Sequence, residues 1–233
     1  MNTQAGRDEH ERDEHVRVSG IATYDDVDAE QLDVSGVLAV NGDARAERAK
    51  LSGATSVTGN LRASTTTVSG AADVGGDVIG DDISVSGSLS VKGSTVADEL
   101  GCAGAVQLET VEANRFEASG AVEAGTLHAE TIRVRGGIEA GRVEGDDIGF
   151  DLVSDSAVSH LVGGSVNVTR RRPDGFLRAE RVEGNGVTLD YVDVGTVVAD
   201  SVRLGSNARV EVVRASELDA ADGATVGSFE RRE

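Results

Sequence analysis

LDVSGVLAVNGDARAER (residues 32–48) is followed by AKLSGATSVTGNLRAST (49–65), TTVSGAADVGGDVIGDD (66–82) and ISVSGSLSVKGSTVADE (83–99). Each copy rewrites the one before it at a period of seventeen residues, and the pattern extends in both directions. VRVSGIATYDDVDAEQ (16–31) stands upstream. LGCAGAVQLETVEANR (100–115), FEASGAVEAGTLHAET (116–131) and IRVRGGIEAGRVEGDD (132–147) follow downstream at sixteen. A short self-similar period repeated along a chain is the signature of a solenoid.

Within a copy the side chains alternate. Position 1 is apolar (Val16, Leu32, Ile83, Leu100, Phe116, Ile132) and so is position 3 (Val18, Val34, Leu51, Val68, Val85), with Arg17, Asp33, Lys50, Thr67 and Ser84 between them. A period of two describes a strand with one buried face. Ser-Gly follows (Ser19-Gly20, Ser35-Gly36, Ser52-Gly53, Ser69-Gly70, Ser86-Gly87). A glycine recurring at one place predicts a corner whose backbone adopts a conformation that side chains resist. A second apolar pair comes next (Leu38 and Val40, Leu89 and Val91, Val106 and Leu108). Then a third apolar residue (Val27, Leu61, Val78, Val111, Leu127) precedes a small one two places on (Ala29, Ala63, Gly80, Ala113, Ala129).

Three strands and three corners per repeat predict an all-β fold, a triangular β-helix, with coils stacked at about the 4.8 Å strand spacing. Helices are disfavoured, because strand formers fill the apolar places and Gly recurs throughout. Later copies keep the beat less strictly. They open at Ile148, Val166, Val187, Val202 and Leu218, and residues 148–186 are irregular, with an inserted loop near 170–175. The whole is a β-solenoid of about thirteen coils over residues 16–233, roughly 60 Å of stacked sheet, preceded by a charged tail (1–15) with too few apolar residues to fold. Left-handed helices of hexapeptides advance eighteen residues per coil. A period of 16–17 favours the right-handed form, although the period alone does not fix the hand.

Composition narrows the function. Asp plus Glu number 41 against 22 Lys plus Arg, a formal net charge of −19, and only Lys50 and Lys92 are lysines. An acid-rich, lysine-poor chain fits a cytoplasm of molar salt, where the Debye length falls to about 3 Å and self-repulsion is screened. It argues against nucleic acid, which calls for a basic stripe. No run of eighteen apolar residues and no apolar leader is present, so a cytoplasmic protein without a membrane span is expected. The single cysteine, Cys102, occupies a place otherwise held by small or apolar core residues.

Catalytic, cofactor and metal sites have little support. The four histidines (His10, His15, His128, His160) are scattered. Acidic pairs at coil boundaries (Asp25-Asp26, Asp81-Asp82, Asp146-Asp147) lack the glycine–aspartate nonapeptide of calcium-binding β-rolls and read as surface acidity. Gly75-Gly76 precedes no helix and reads as a corner, not a phosphate cradle. No cofactor is expected, and the chain is not expected to be an enzyme.

The ends carry the functional expectation. A lone coil buries a handful of apolar side chains at about 1.5–3 kcal/mol each, against roughly 1.5 kcal/mol per ordered residue. Stability therefore comes from neighbouring coils, and an end coil has one neighbour. No amphipathic cap is legible at either end. Self-assembly through the terminal coils is the expectation, with Val16, Val18, Ile21, Leu218, Val226 and Phe229 as interface residues. Arg170, Arg171 and Arg172, ahead of the turn signal Pro173-Asp174-Gly175, form a candidate contact with a membrane surface or an acidic partner.

The V-S-G beat, the short loop-free coils and the charged tail resemble the bactofilins, polymer-forming cytoskeletal proteins, and the acidity resembles their halophilic archaeal branch, the halofilins. The resemblance covers residues 16–233, a longer core than is usual in the family. It implies a right-handed β-helix that polymerises end to end without nucleotide. It also implies a place in the cytoplasm at the inner face of the membrane, an influence on cell shape, and a second cytoskeletal or membrane-associated partner. Family members use a phenylalanine of the last coil in assembly, which points to Phe229. The alternative is a monomeric β-solenoid that regulates or docks on such a polymer.

Overall fold

The computed structural model describes residues 13–232, and every regular element in that span is a β-strand. The early coils consist of short pieces: β1 (Asp13–Val18), β2 (Ile21–Tyr24), β3 (Val27–Val34), β4 (Val37–Val40), β5 (Ala44–Leu51), β6 (Ala54–Val57), β7 (Leu61–Val68), β8 (Ala71–Val74), β9 (Val78–Ile79) and β10 (Asp82–Val85). Later strands run on around corners: β11 (Ser88–Cys102), β12 (Ala105–Ala118), β13 (Ala121–Val134), β14 (Gly137–Leu152), β15 (Asp155–Arg170), β16 (Phe176–Leu189), β17 (Val192–Leu204), β18 (Arg209–Ala220) and β19 (Thr225–Arg231). All pairings among them are parallel, and each joins one coil to the next.

The expected solenoid is present. One inward column reads Val16, Leu32, Ala49, Thr66, Ile83, Leu100, Phe116, Ile132, Ile148, Val166, Val187, Val202 and Leu218, thirteen rungs in register. Asp13, Glu14 and His15 add the start of a further rung, so β1 begins within the span expected to be tail. The rest of that tail, 1–12, lies outside the described residues.

Burial within a coil comes in three pairs, such as Leu32/Val34, Leu38/Val40 and Ala44/Ala46. The alternation restarts after each pair, because each corner resets which side chains point inward. Three flat faces result, and they enclose one core that runs from Val16 to Ala215.

The first corner corrects one expectation. None of the Ser-Gly glycines adopts a left-handed φ. They are required by closeness instead: a Cβ on Gly53 would lie 1.9 Å from the carbonyl oxygen of Gly36, and one on Gly70 would lie 2.0 Å from that of Gly53. Each glycine sits on the glycine of the coil below. The chain then leaves the corner by a ladder bond such as Val37 N–H to Gly20 O, 2.8 Å.

At the second corner coils 2 to 5 differ from the rest. Three residues turn the chain there (Asn41-Gly42-Asp43, Thr58-Gly59-Asn60, Gly75-Gly76-Asp77, Lys92-Gly93-Ser94), against two elsewhere, for example Glu109-Thr110. The added residue makes seventeen of sixteen. It also shifts the register where coil 5 meets coil 6, between Val91 and Ser94.

At the third corner the small residues point inward. Ala29, Ala46, Ala63, Ala97 and Ala129 are all buried.

The irregular segment keeps its ladder. Coil 9 carries an additional inward residue, Leu152, and coil 10 makes a surface turn at residues 171–174, held where the N–H groups of Arg171 and Arg172 both reach the carbonyl of Leu152. Pairing from β14 through β16 continues across it.

Candidate assembly ends

The two ends of the solenoid are parallel-strand edges. Among the described residues β1 pairs only with β3, β2 only with β4, and β19 only with β18. Each end therefore shows a row of backbone N–H and C=O groups that a further coil would satisfy.

The ends differ in their side chains. At the N-terminal end Val16 (8 % exposed) and Val18 (3 %) are buried, as are Val27 and Ala29, and Tyr24 is the large inward-facing side chain left partly open at 38 %. At the C-terminal end the inward column is open: Leu218, Ala224 and Val226 are only half-buried, and Phe229 is 45 % exposed. Of the six residues predicted for the interface, Leu218, Val226 and Phe229 thus lie together on one end face. Val16 and Val18 belong to the core, and only their backbone reaches the N-terminal edge. Ile21 is 86 % exposed but alternates with the inward Ala22, so it points sideways from the solenoid above Val37, not along its axis. Tyr24 was not among the predicted residues. A tyrosine in the place of Val40 and Val57 is the signal that marks it.

Charge pairs follow the columns. Arg17 Nη2 stands 3.6 Å from Asp33 Oδ2, which His15 Nε2 also meets at 3.0 Å. At the other end, in the same column, Arg203 Nε stands 3.4 Å from Asp219 Oδ2. Arg214 Nε meets Glu230 Oε2 at 2.6 Å. All are exposed and individually weak.

The three arginines of the surface turn are not equivalent. The Arg170 guanidinium lies over the Tyr191 ring, 3.5 Å from its centroid, and its Nη1 donates to the carbonyl of Pro173. Arg171 approaches Asp151 at 4.0 Å, a carboxylate it shares with Arg135 at 3.5 Å. Arg172 makes no ion pair among the described residues and projects into solvent. Two of the three charges are therefore already engaged, and the patch is narrower than its sequence suggests.

Elsewhere the surface offers shallow ground. A broad depression of about 1010 Å³ lies on the second face; small residues such as Ala124, Ala140 and Ala157 line it, with Gln107, Glu123, Glu139 and Arg178. Glu123 and Glu139 are successive rungs of one column, spread along the axis. Burial pushes the Cys102 thiol up to about 12, so it stays protonated and inert at neutral pH. Among the described residues no helix is long and apolar enough to cross a membrane. No protein-family model matches this chain, and neither curated proteins nor solved structures match it.

Proposed function

We propose that this chain is a non-enzymatic, bactofilin-like scaffold that assembles end to end through its terminal coils and influences cell shape. The observation that carries this reading is the C-terminal end, where an unpaired strand edge coincides with the partly open apolar set Leu218, Val226 and Phe229. A further coil laid on that end would extend the ladder and bury those side chains together. The acidic, lysine-poor composition suits assembly in molar salt, where screening leaves apolar burial and backbone bonding as the driving terms. In this reading the polymer lies in the cytoplasm at the inner face of the membrane, with Arg172 the arginine most available to a lipid headgroup or to a second cytoskeletal protein.

Sedimentation velocity and negative-stain microscopy of the pure protein in molar salt test it. Filaments or a ladder of oligomers are expected at micromolar concentration, and strictly monomeric particles would sink the proposal. Phe229→Glu should reduce assembly and leave the β-type circular dichroism intact. If that substitution unfolds the chain, Phe229 acts as core and not as contact.

The alternative is favoured by the asymmetry of the ends. With Val16 and Val18 buried at one end and Phe229 exposed at the other, a monomer that docks by its C-terminal end alone would cap or regulate a polymer built by another protein. Assembly of the pure chain beyond a dimer separates the two readings.

A further inference from the structure

We infer that copies also lie side by side, each closing the second face of its coils 1 to 6 against the same face of a second copy. This rests on the reading that the ends associate, and adds a lateral contact to the axial one.

The outward side chains of that face stand in two columns. One runs Ile21, Val37, Ala54, Ala71, Ser88, Ala105 and carries no charge. Its neighbour runs Thr23, Ala39, Ser56, Asp73, Ser90, Gln107 and carries one, at Asp73. The other two faces of the same coils are charged on almost every rung, with Arg17, Asp33 and Lys50 on the first and Asp28, Arg45 and Arg62 on the third.

That contrast selects the face. Two copies of net charge −19 that meet by either other face must strip water from ions, which is costly unless every ion finds a partner. On the second face they strip it from methyl groups and hydroxyls. They also bury Ile21 and Val37, which are 86 % and 46 % exposed in the single chain. The sideways position of Ile21 fits this contact and not the axial one.

Other occupants fit less well. A basic partner would find its carboxylates on the third face. A membrane surface calls for basic and bulky apolar groups, whereas most side chains here end at Cβ or one atom beyond. A second copy supplies the same uncharged surface, and small side chains on both sides let the two sheets approach closely.

The area sets when the contact forms. Six rungs at about 4.8 Å, each a strand of four residues at about 3.3 Å, make a patch of roughly 29 by 13 Å. One pair therefore covers about 750 Å², below the roughly 1,200 Å² of a stable interface. Copies joined end to end repeat the patch along the axis, and each further contact then forms at high effective concentration. Lateral pairing is thus a property of the polymer and not of single copies.

The test is the double variant Ala54→Glu/Ala71→Glu in the full chain. It is compared in molar salt, by negative-stain microscopy and sedimentation, with the wild type and with Ser84→Glu, which adds a charge to the first face. Both alanines point outward and are exposed, and circular dichroism verifies the fold. If the double variant loses its β-type spectrum, Val37→Asp takes its place. Paired or bundled filaments are expected for the wild type and Ser84→Glu, and single filaments of unchanged length for the double variant. Single wild-type filaments, or double-variant filaments paired like the wild type, overturn the lateral contact and leave end-to-end assembly standing. Loss of pairing in Ser84→Glu as well overturns the assignment to this face. A wild type without filaments removes the end-to-end reading and the lateral contact with it.

Discussion

Coils 2 to 5 and coils 6 to 8 solve the same corner in two ways. In the first group the chain inserts a glycine and hands the corner to a side-chain ladder. Asp43 N–H donates to Asp26 Oδ1 (2.8 Å), Asn60 N–H to Asp43 Oδ1 (2.9 Å), Asp77 N–H to Asn60 Oδ1 (2.8 Å) and Ser94 N–H to Asp77 Oδ1 (2.9 Å). In the second group two residues suffice and the backbone ladder runs straight through, as from Leu108 past Thr110 to Val111 in β12. The lesson is that the core columns do not dictate corner length. What matters is that every corner N–H finds an acceptor one coil away, and an Asx side chain serves as well as a carbonyl.

The largest effect should come from a corner that both groups share. Gly53→Ala would place a methyl 1.9 Å from the Gly36 carbonyl. A backbone-on-backbone clash has no flexible side chain to absorb it, so a loss of about 3 kcal/mol or more is expected. Gly101, whose Cβ would find its nearest neighbour at 4.0 Å, is the control, and Gly101→Ala should change stability by only a few tenths of a kcal/mol, about the surface norm. Urea unfolding of both variants reads the difference.

Next, Asn60→Ala breaks the comparison itself. It removes the acceptor for the Asp77 N–H and the amide that donates to Asp43 Oδ1. A loss of about 1–2 kcal/mol is expected, against at most about 0.5 kcal/mol for Thr126→Ala at the two-residue corner of coil 7. Equal losses would show that the ladder contributes nothing.

In the core of the early coils, Thr55, Thr66 and Thr95 bury hydroxyl oxygens that have no partner among the described residues. Replacement by the isosteric valine removes that penalty, so Thr95→Val should raise stability by about 1 kcal/mol. A midpoint that falls would mean the hydroxyl is satisfied.

The smallest effect is a dependence on pH. The Asn60 backbone N–H, helped by Arg45, the Asn60 amide and Arg62, holds the Asp43 carboxyl below its usual range against a weaker opposing effect of burial. A depressed folded value means the stabilisation is complete above the ordinary carboxylate pKa of about 4 and is lost as pH falls through the lower folded value. Asp43→Asn keeps the acceptor, as Asn60 does in the next coil, so thermal melts between about pH 2 and 6 should show a flatter acid limb than the wild type. An unchanged limb would place the acid sensitivity elsewhere.

Much of the fold was legible in the chain. Apolar places two apart, recurring every 16–17 residues, name strands and stack them, because period two and coil length are both properties of local sequence. The Ser-Gly beat located the first corner correctly but suggested the wrong cause. Closeness between coils is a contact between residues seventeen apart, and no local preference of glycine reports it. The Asx ladder was equally hidden: Asp26, Asp43, Asn60 and Asp77 stand seventeen residues apart, and only stacking brings each over the next. Among candidate site residues, the position of Leu218, Val226 and Phe229 in the final coil was legible, and the structure leaves their side chains partly open. Val16 and Val18 were legible as the first apolar places of the repeat, but that their side chains are buried was not.

By itself the sequence determined that this protein is a stack of three-sided coils with an apolar interior and an acidic exterior, since alternation, period and composition need no tertiary information. Only the tertiary structure decided that the two ends differ, that two of three arginines are already engaged, and that Arg17 and Asp219 share a column. The reason is physical. Exposure and charge pairing depend on what lies one coil away, and that neighbour is set by the accumulated register of every corner between.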